Sequence, residues 1–103
     1  MASDYGYKTP THSAGSAGTV TASMLAANAG RRYAQFANNT AGTIYLALGG
    51  AAAINAGIRL NPAGSEGDCY EMTIGRGNIY TGAVHALHND SSGTKVILIT
   101  EGV

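Results

Sequence analysis

The chain has 103 residues, among them 15 Gly and no Trp, and only 12% are charged. That length makes one domain with a modest core. The charged share is about half the roughly 25% of an average globular protein; such a bland surface suits packing against copies of itself or a larger partner, although a small monomer fits the same composition. Six basic residues balance six acidic ones, which excludes the basic field that nucleic-acid binding requires.

The charges are unevenly placed. Residues 1–61 hold Lys8, Arg31, Arg32 and Arg59 against Asp4, a net +3, and residues 62–103 hold Arg76 and Lys95 against Glu66, Asp68, Glu71, Asp90 and Glu101, a net −3. If the fold separates the halves, head-to-tail packing is favoured. The single cysteine, Cys69, excludes an internal disulfide and a Cys-based zinc site. It is expected as a half-buried strand thiol made in a reducing cytoplasm, with an intermolecular disulfide left open. No apolar run approaches the length of a membrane span and the N-terminus lacks the pattern of a signal peptide, so neither is expected.

Residues 1–18 are polar, rich in Gly, Ser and Thr, and without apolar periodicity. They read as a flexible N-terminal arm. Tyr5 and Tyr7, at i and i+2, would share a face if the arm became extended, so the arm is either a docking element or an unstructured terminus. Residues 19–103 read as a single all-β domain: a small antiparallel β-sandwich or barrel of about seven or eight short strands, with turns roughly every 8–12 residues.

Its predicted strands begin with Thr19–Leu25. Asn28-Ala29-Gly30 then turns the chain, and the same triplet recurs at Asn55-Ala56-Gly57. Arg31–Ala37 and Thr43–Leu48 are expected to pair as a hairpin across Asn38–Gly42, with Ala34 and Phe36 on one face of the first and Ile44, Leu46 and Leu48 on one face of the second. The Ala-rich Gly49–Ile54 stretch reads as a loop or one helical turn. Ile58 and Leu60 mark a brief strand before the Asn61-Pro62-Ala63-Gly64 turn. Asp68–Ile74 places Tyr70, Met72 and Ile74 opposite Cys69, Glu71 and Thr73. After Gly75–Asn78, residues 79–88 form one interrupted strand or two, with Val84 and Ala86 opposing His85 and Leu87. Asn89–Gly93 reads as a second hairpin loop before Lys95–Thr100.

The sequence carries little chemistry. His85 and His88 point to opposite faces of a strand and so cannot chelate one metal; His12 has no visible partner. Ser13, Ser16, Ser91 and Ser92 lie in arm or loops without a nucleophile motif. Glu66, Asp68 and Glu71 would form a carboxylate pair only by tertiary accident. Asn89–Gly93 has too few acids for a calcium loop, and Gly75-Arg76-Gly77 lacks the Lys-Ser/Thr end of a phosphate loop. No enzyme, cofactor or metal is expected.

The order of the elements is more telling. Arg32-Tyr33-Ala34-Gln35-Phe36-Ala37-Asn38-Asn39 precedes Ile44-Tyr45-Leu46-Ala47-Leu48-Gly49-Gly50. Next come Gly57-Ile58-Arg59-Leu60-Asn61-Pro62-Ala63-Gly64, Tyr70-Glu71-Met72, Gly82-Ala83-Val84-His85-Ala86-Leu87 and Val96–Gly102. Over about residues 19–103 this order resembles small virion proteins of tailed bacteriophages, the head-decoration (cement) and head-to-tail accessory subunits. The resemblance implies a non-enzymatic virion subunit made in the host bacterial cytoplasm. It implies a homo-oligomer, expected as a trimer, that clamps the major capsid protein and binds neither specific nucleic acid nor membrane. Tyr5 and Tyr7 are then expected to dock the arm, and Arg31, Arg32 and Arg59 to make polar contacts between subunits. A tail, connector or fibre-associated subunit is the nearest alternative. A carbohydrate-binding sandwich using Tyr45, Tyr70 and Tyr80 is a further one.

Overall fold

The computed structural model describes residues 9–90 and 93–103. They form eight strands: β1 (Pro10–Ala17), β2 (Ala22–Leu25), β3 (Tyr33–Asn38), β4 (Ile44–Leu48), β5 (Ile58–Leu60), β6 (Cys69–Thr73), β7 (Val84–Leu87) and β8 (Lys95–Gly102), with a single 3₁₀ turn at Ile74–Arg76. Two four-stranded antiparallel sheets result, in the orders β1-β8-β3-β6 and β2-β7-β4-β5. This is the expected small all-β sandwich. No helix among the described residues is long and apolar enough to cross a membrane.

The period-2 pattern of the sequence becomes the inner and outer faces of these sheets. Along β3 the buried positions are Ala34, Phe36 and Asn38 and the half-buried ones Tyr33, Gln35 and Ala37. Phe36, Ala34, Met72, Ile97 and Ile99 of the first sheet meet Ile44, Leu46, Leu60, Val84 and Ala86 of the second in one core. Each fully buried large side chain contributes roughly 1.5–3 kcal/mol. The opposite face of the second sheet holds a smaller cluster, Tyr45, Leu87 and Ala52 with Ala47 beside them. Ala52 reaches it because the Gly49–Gly57 segment folds back over the sheet, its backbone N–H donating to Thr21 Oγ1 at 2.8 Å.

Chain order alternates between the sheets at every connection except β4 to β5. Two sequence expectations fall here. β3 and β4 do not pair as a hairpin: β3 lies between β8 and β6, and β4 between β7 and β5. Likewise Asn89–Gly93 joins β7 in one sheet to β8 in the other. These two crossings each hold a buried polar side chain. Asn38, 3% exposed, donates from Nδ2 to the carbonyls of Gly42 (2.6 Å), Leu60 (3.2 Å) and Asn61 (3.0 Å), and its Oδ1 accepts from Thr40 N–H and Oγ1. His88, wholly buried, donates from Nε2 to Gly93 O at 2.9 Å while Nδ1 accepts from Asp90 N–H. These contacts assign the neutral Nε2–H tautomer. Asn38 thus ties the end of β3 in one sheet to Leu60 of β5 in the other, which turns the chain across the sandwich, while His88 closes the β7–β8 connection on itself.

The boundary at residue 18 also shifts. Pro10–Ala17, expected as part of the flexible arm, pairs with β8 along its whole length, and Ala17 lies in the core. The strand holds by ladder hydrogen bonds rather than apolar side chains. Gly15 leaves room for Met24 of β2, whose Sδ would lie 2.6 Å from a Cβ at that position and would have to shift to admit one. Conversely, the predicted first core strand shortens from Thr19–Leu25 to Ala22–Leu25, with Val20 75% exposed. The Asp68–Ile74 strand closes at Thr73, whose Oγ1 accepts from Arg76 N–H to cap the 3₁₀ turn.

Candidate interaction surface

Arg31 was expected at a subunit contact, but it is an internal clamp. It is 3% exposed. Its Nε donates to Glu101 Oε2 at 2.7 Å, Nη1 to the carbonyls of Tyr80 (2.6 Å) and Gly82 (3.0 Å), and Nη2 to Ala26 O (2.6 Å). One guanidinium thereby ties two loops, β2–β3 and β6–β7, to the last strand, with its fork used in every direction. Arg32 is half-buried and also engaged. Tyr5 and Tyr7 lie outside the described residues. Of the five expected contact residues, Arg59 is therefore the one the structure displays on the surface.

Arg59 sits on the outward face of β5, directly across from Tyr45 of β4. The Gly49–Gly57 segment arrives beside it through two left-handed residues, Asn55 (φ 61°) and Gly57 (φ 78°). Gly57 is required there, because a Cβ would overlap the carbonyl oxygen of Leu46. Tyr45 donates its hydroxyl to Asn55 Oδ1 at 3.1 Å, fixing the loop on the sheet. Tyr45, Asn55, Ala56, Gly57 and Arg59 line an open depression of about 190 Å³.

The outward face of the other sheet mixes small, apolar and polar side chains. The register places Ala14, Leu98, Ala37 and Cys69 in one row across all four strands. Leu98, at the centre, is 46% exposed. Cys69 is exposed on the edge strand β6, not half-buried as expected. His12, Thr100, Gln35 and Glu71 form the next row, with His12 Nδ1 3.0 Å from Thr100 Oγ1. At the β1 edge the sheet offers a backbone row to a partner; at the β6 edge Asn78 covers part of that row, its side chain accepting from Thr73 N–H (2.8 Å) and donating to Glu71 O (3.1 Å).

The remaining polar groups serve the body. His85 lies on the outward face of β7 and His88 inside the β7–β8 crossing, so the two do not converge; His85 Nδ1 is buried without a partner. Among the described residues no three His, Cys, Asp or Glu side chains gather as a metal site. Glu71 accepts from Tyr33 Oη at 2.6 Å and faces Arg76 at 3.6 Å. Lys95 Nζ lies 2.7 Å from Asp90 Oδ2, and that hydrogen bond, reinforced by the lysine's charge, holds the Asp90 carboxyl below its ordinary value of 3.8. Tyr45 is 7% exposed, and Tyr70 and Tyr80 pack half-buried against the core. None of the three is an exposed aromatic platform for a sugar. Comparison with protein-family models, curated proteins and solved structures finds no match.

Proposed function

We propose that the protein is a non-enzymatic virion subunit of a tailed bacteriophage, a decoration protein that self-associates and braces the capsid shell. The observation that carries this reading is β1. Its side chains are exposed at every position but Gly15 and Ala17, and it lies on a sheet edge with its backbone ladder fixed to β8. It therefore anchors the preceding residues, Tyr5 and Tyr7 among them, to a rigid body without contributing much to the core. Aromatic anchors on such a tether suit docking on a neighbour, and weak contacts repeated over a lattice compound into strong retention. The polar interior fits the same reading: Arg31, Asn38 and His88 spend their hydrogen bonds on holding loops.

The fold redefines the test of the arm. Deleting residues 1–18 would strip β8 of its partner strand, whereas deleting residues 1–8 spares β1. The shorter deletion is expected to leave the thermal midpoint within a few degrees of the full chain while weakening retention on capsids by about tenfold or more, a loss of at least about 1.4 kcal/mol. Co-sedimentation with purified capsids reads both proteins. Undiminished binding by the truncated protein would remove the arm from the docking mechanism.

A further inference from the structure

The charged side chains of the described residues are almost all engaged within the chain. Arg31 pairs with Glu101, Arg76 with Glu71 and Lys95 with Asp90; Asp68 Oδ2 accepts from Gly64 N–H at 2.9 Å, and Arg32 has a partner. Arg59 and Glu66 are the two left over, and both are exposed.

Arg59 belongs to a depression whose lining is rich in donors. The guanidinium offers five N–H groups. Asn55 has its Oδ1 occupied by Tyr45, which leaves its Nδ2 amide hydrogens to a ligand. No carboxylate lines the depression. The complement of that donor set is a carboxylate, held by the planar fork. At about 190 Å³ the space is smaller than the roughly 300–1,000 Å³ of small-molecule sites and admits one short side-chain head.

Glu66 is presented in a form that fits. Its turn is braced by Ser65 N–H to Pro62 O (3.0 Å), Asn61 N–H to Gly67 O (3.0 Å) and Asn61 Nδ2 to the Glu66 carbonyl (2.8 Å). Gly64 and Gly67 supply the positive φ angles that fold it. The exposed carboxylate thus projects from a braced turn, so little conformational freedom is lost when it is bound. Within one copy it makes no ion pair with Arg59.

We infer that the Arg59–Asn55 depression of one copy receives the Glu66 carboxylate of a second copy. This rests on the self-association in the function proposed above and names its polar contact. The test is sedimentation equilibrium from micromolar to about millimolar concentration on the wild type, Arg59→Glu, Glu66→Arg and the doubly exchanged protein. Each single change places like charges together and is expected to weaken association by about tenfold or more, and the double exchange to restore it. Raised salt should weaken the wild-type contact, as screening requires. In a second measurement, Arg59→Lys is treated with a carbodiimide in a mixture of isotopically light and heavy chains. Peptides joining Lys at 59 to Glu66 across the two isotopes are expected. Equal association by all four proteins would overturn the contact and leave self-association standing. A wild type that stays monomeric would overturn both. Single variants that weaken association without rescue by the double exchange would overturn the pairing, as would cross-links confined to one copy or to another carboxylate.

Discussion

Replacing Arg31 by Leu is expected to cost about 3–5 kcal/mol of folding stability, the largest single loss in this chain. The side chain is fully buried, and its removal leaves the Glu101 carboxylate and the carbonyls of Ala26, Tyr80 and Gly82 without their donors. Burying unpaired acceptors is what makes such a change expensive, more than the bond energies themselves. In a domain of this size the thermal midpoint should fall by more than about 10 °C. Arg31→Lys should cost less but still be measurable, because an ammonium lacks the planar fork that reaches four acceptors. A double change, Arg31→Leu with Glu101→Leu, should recover only part of the loss, since the three carbonyls stay bare. Urea midpoints of the three variants decide between the parts. Full recovery by the double change would mean that the ion pair alone matters and that the loop clamping does not.

The second large effect is expected at Asn38. Asn38→Asp keeps the shape and the acceptor that Thr40 uses, but replaces the Nδ2 donor with an oxygen facing the carbonyls of Gly42, Leu60 and Asn61. The expected cost at neutral pH is about 3 kcal/mol, at the upper end for a buried unsatisfied group. The sign of its pH dependence follows from the same geometry. The carboxylate is disfavoured in the fold, so its folded-state pKa rises above the unfolded value of about 3.9. The deficit is then full above the folded pKa and shrinks as pH falls through it. Denaturation midpoints of wild type and variant from pH 7 to pH 3.5 measure this. A deficit that stays constant or grows in acid would show that Asn38 does not hold the β3–β4 crossing through its donor.

Why these two residues were hard to read from the sequence is a physical matter. The faces of the strands were legible: Ile44, Leu46, Val84, Ala86 and Met72 alternate with polar or small residues and point inward as the period requires. Which sheet each strand joins was not, because alternation is identical in both sheets. A five-residue loop at Asn38–Gly42 fits a hairpin or a crossing equally well until the buried partners of Asn38 are known, and two of those, Leu60 and Asn61, lie 22 and 23 residues away. Arg31 meets Glu101 at a separation of 70 residues, so nothing local marks it as buried, and an arginine beside a turn reads as surface by default. β1 escaped for the opposite reason. An edge strand of Thr, His, Ser, Ala and Gly has no apolar period to detect, and its backbone pairing with β8 is invisible to composition. Arg59 was legible as an exposed strand residue. Its depression was not, because that depends on the Gly49–Gly57 segment folding back through Asn55 and Gly57.

The alternation between sheets also bears on the function proposed. Six of the seven connections cross the sandwich, and Asn38, His88 and Arg31 hold four of them to the body by buried hydrogen bonds. A body whose loops are held in this way has little internal freedom to lose on docking. This is an economical construction for a protein that works by repeated contacts on a lattice.

The central claim is tested most directly by the copy number of this protein in phage particles purified from a culture that produces it, measured by quantitative mass spectrometry against the major capsid protein. Decoration of the shell predicts hundreds of copies per particle, in fixed ratio to the capsid subunit. A count near three, six or twelve would contradict shell decoration and place the protein at the neck, tail or fibre. Absence from the particles would contradict the virion assignment altogether.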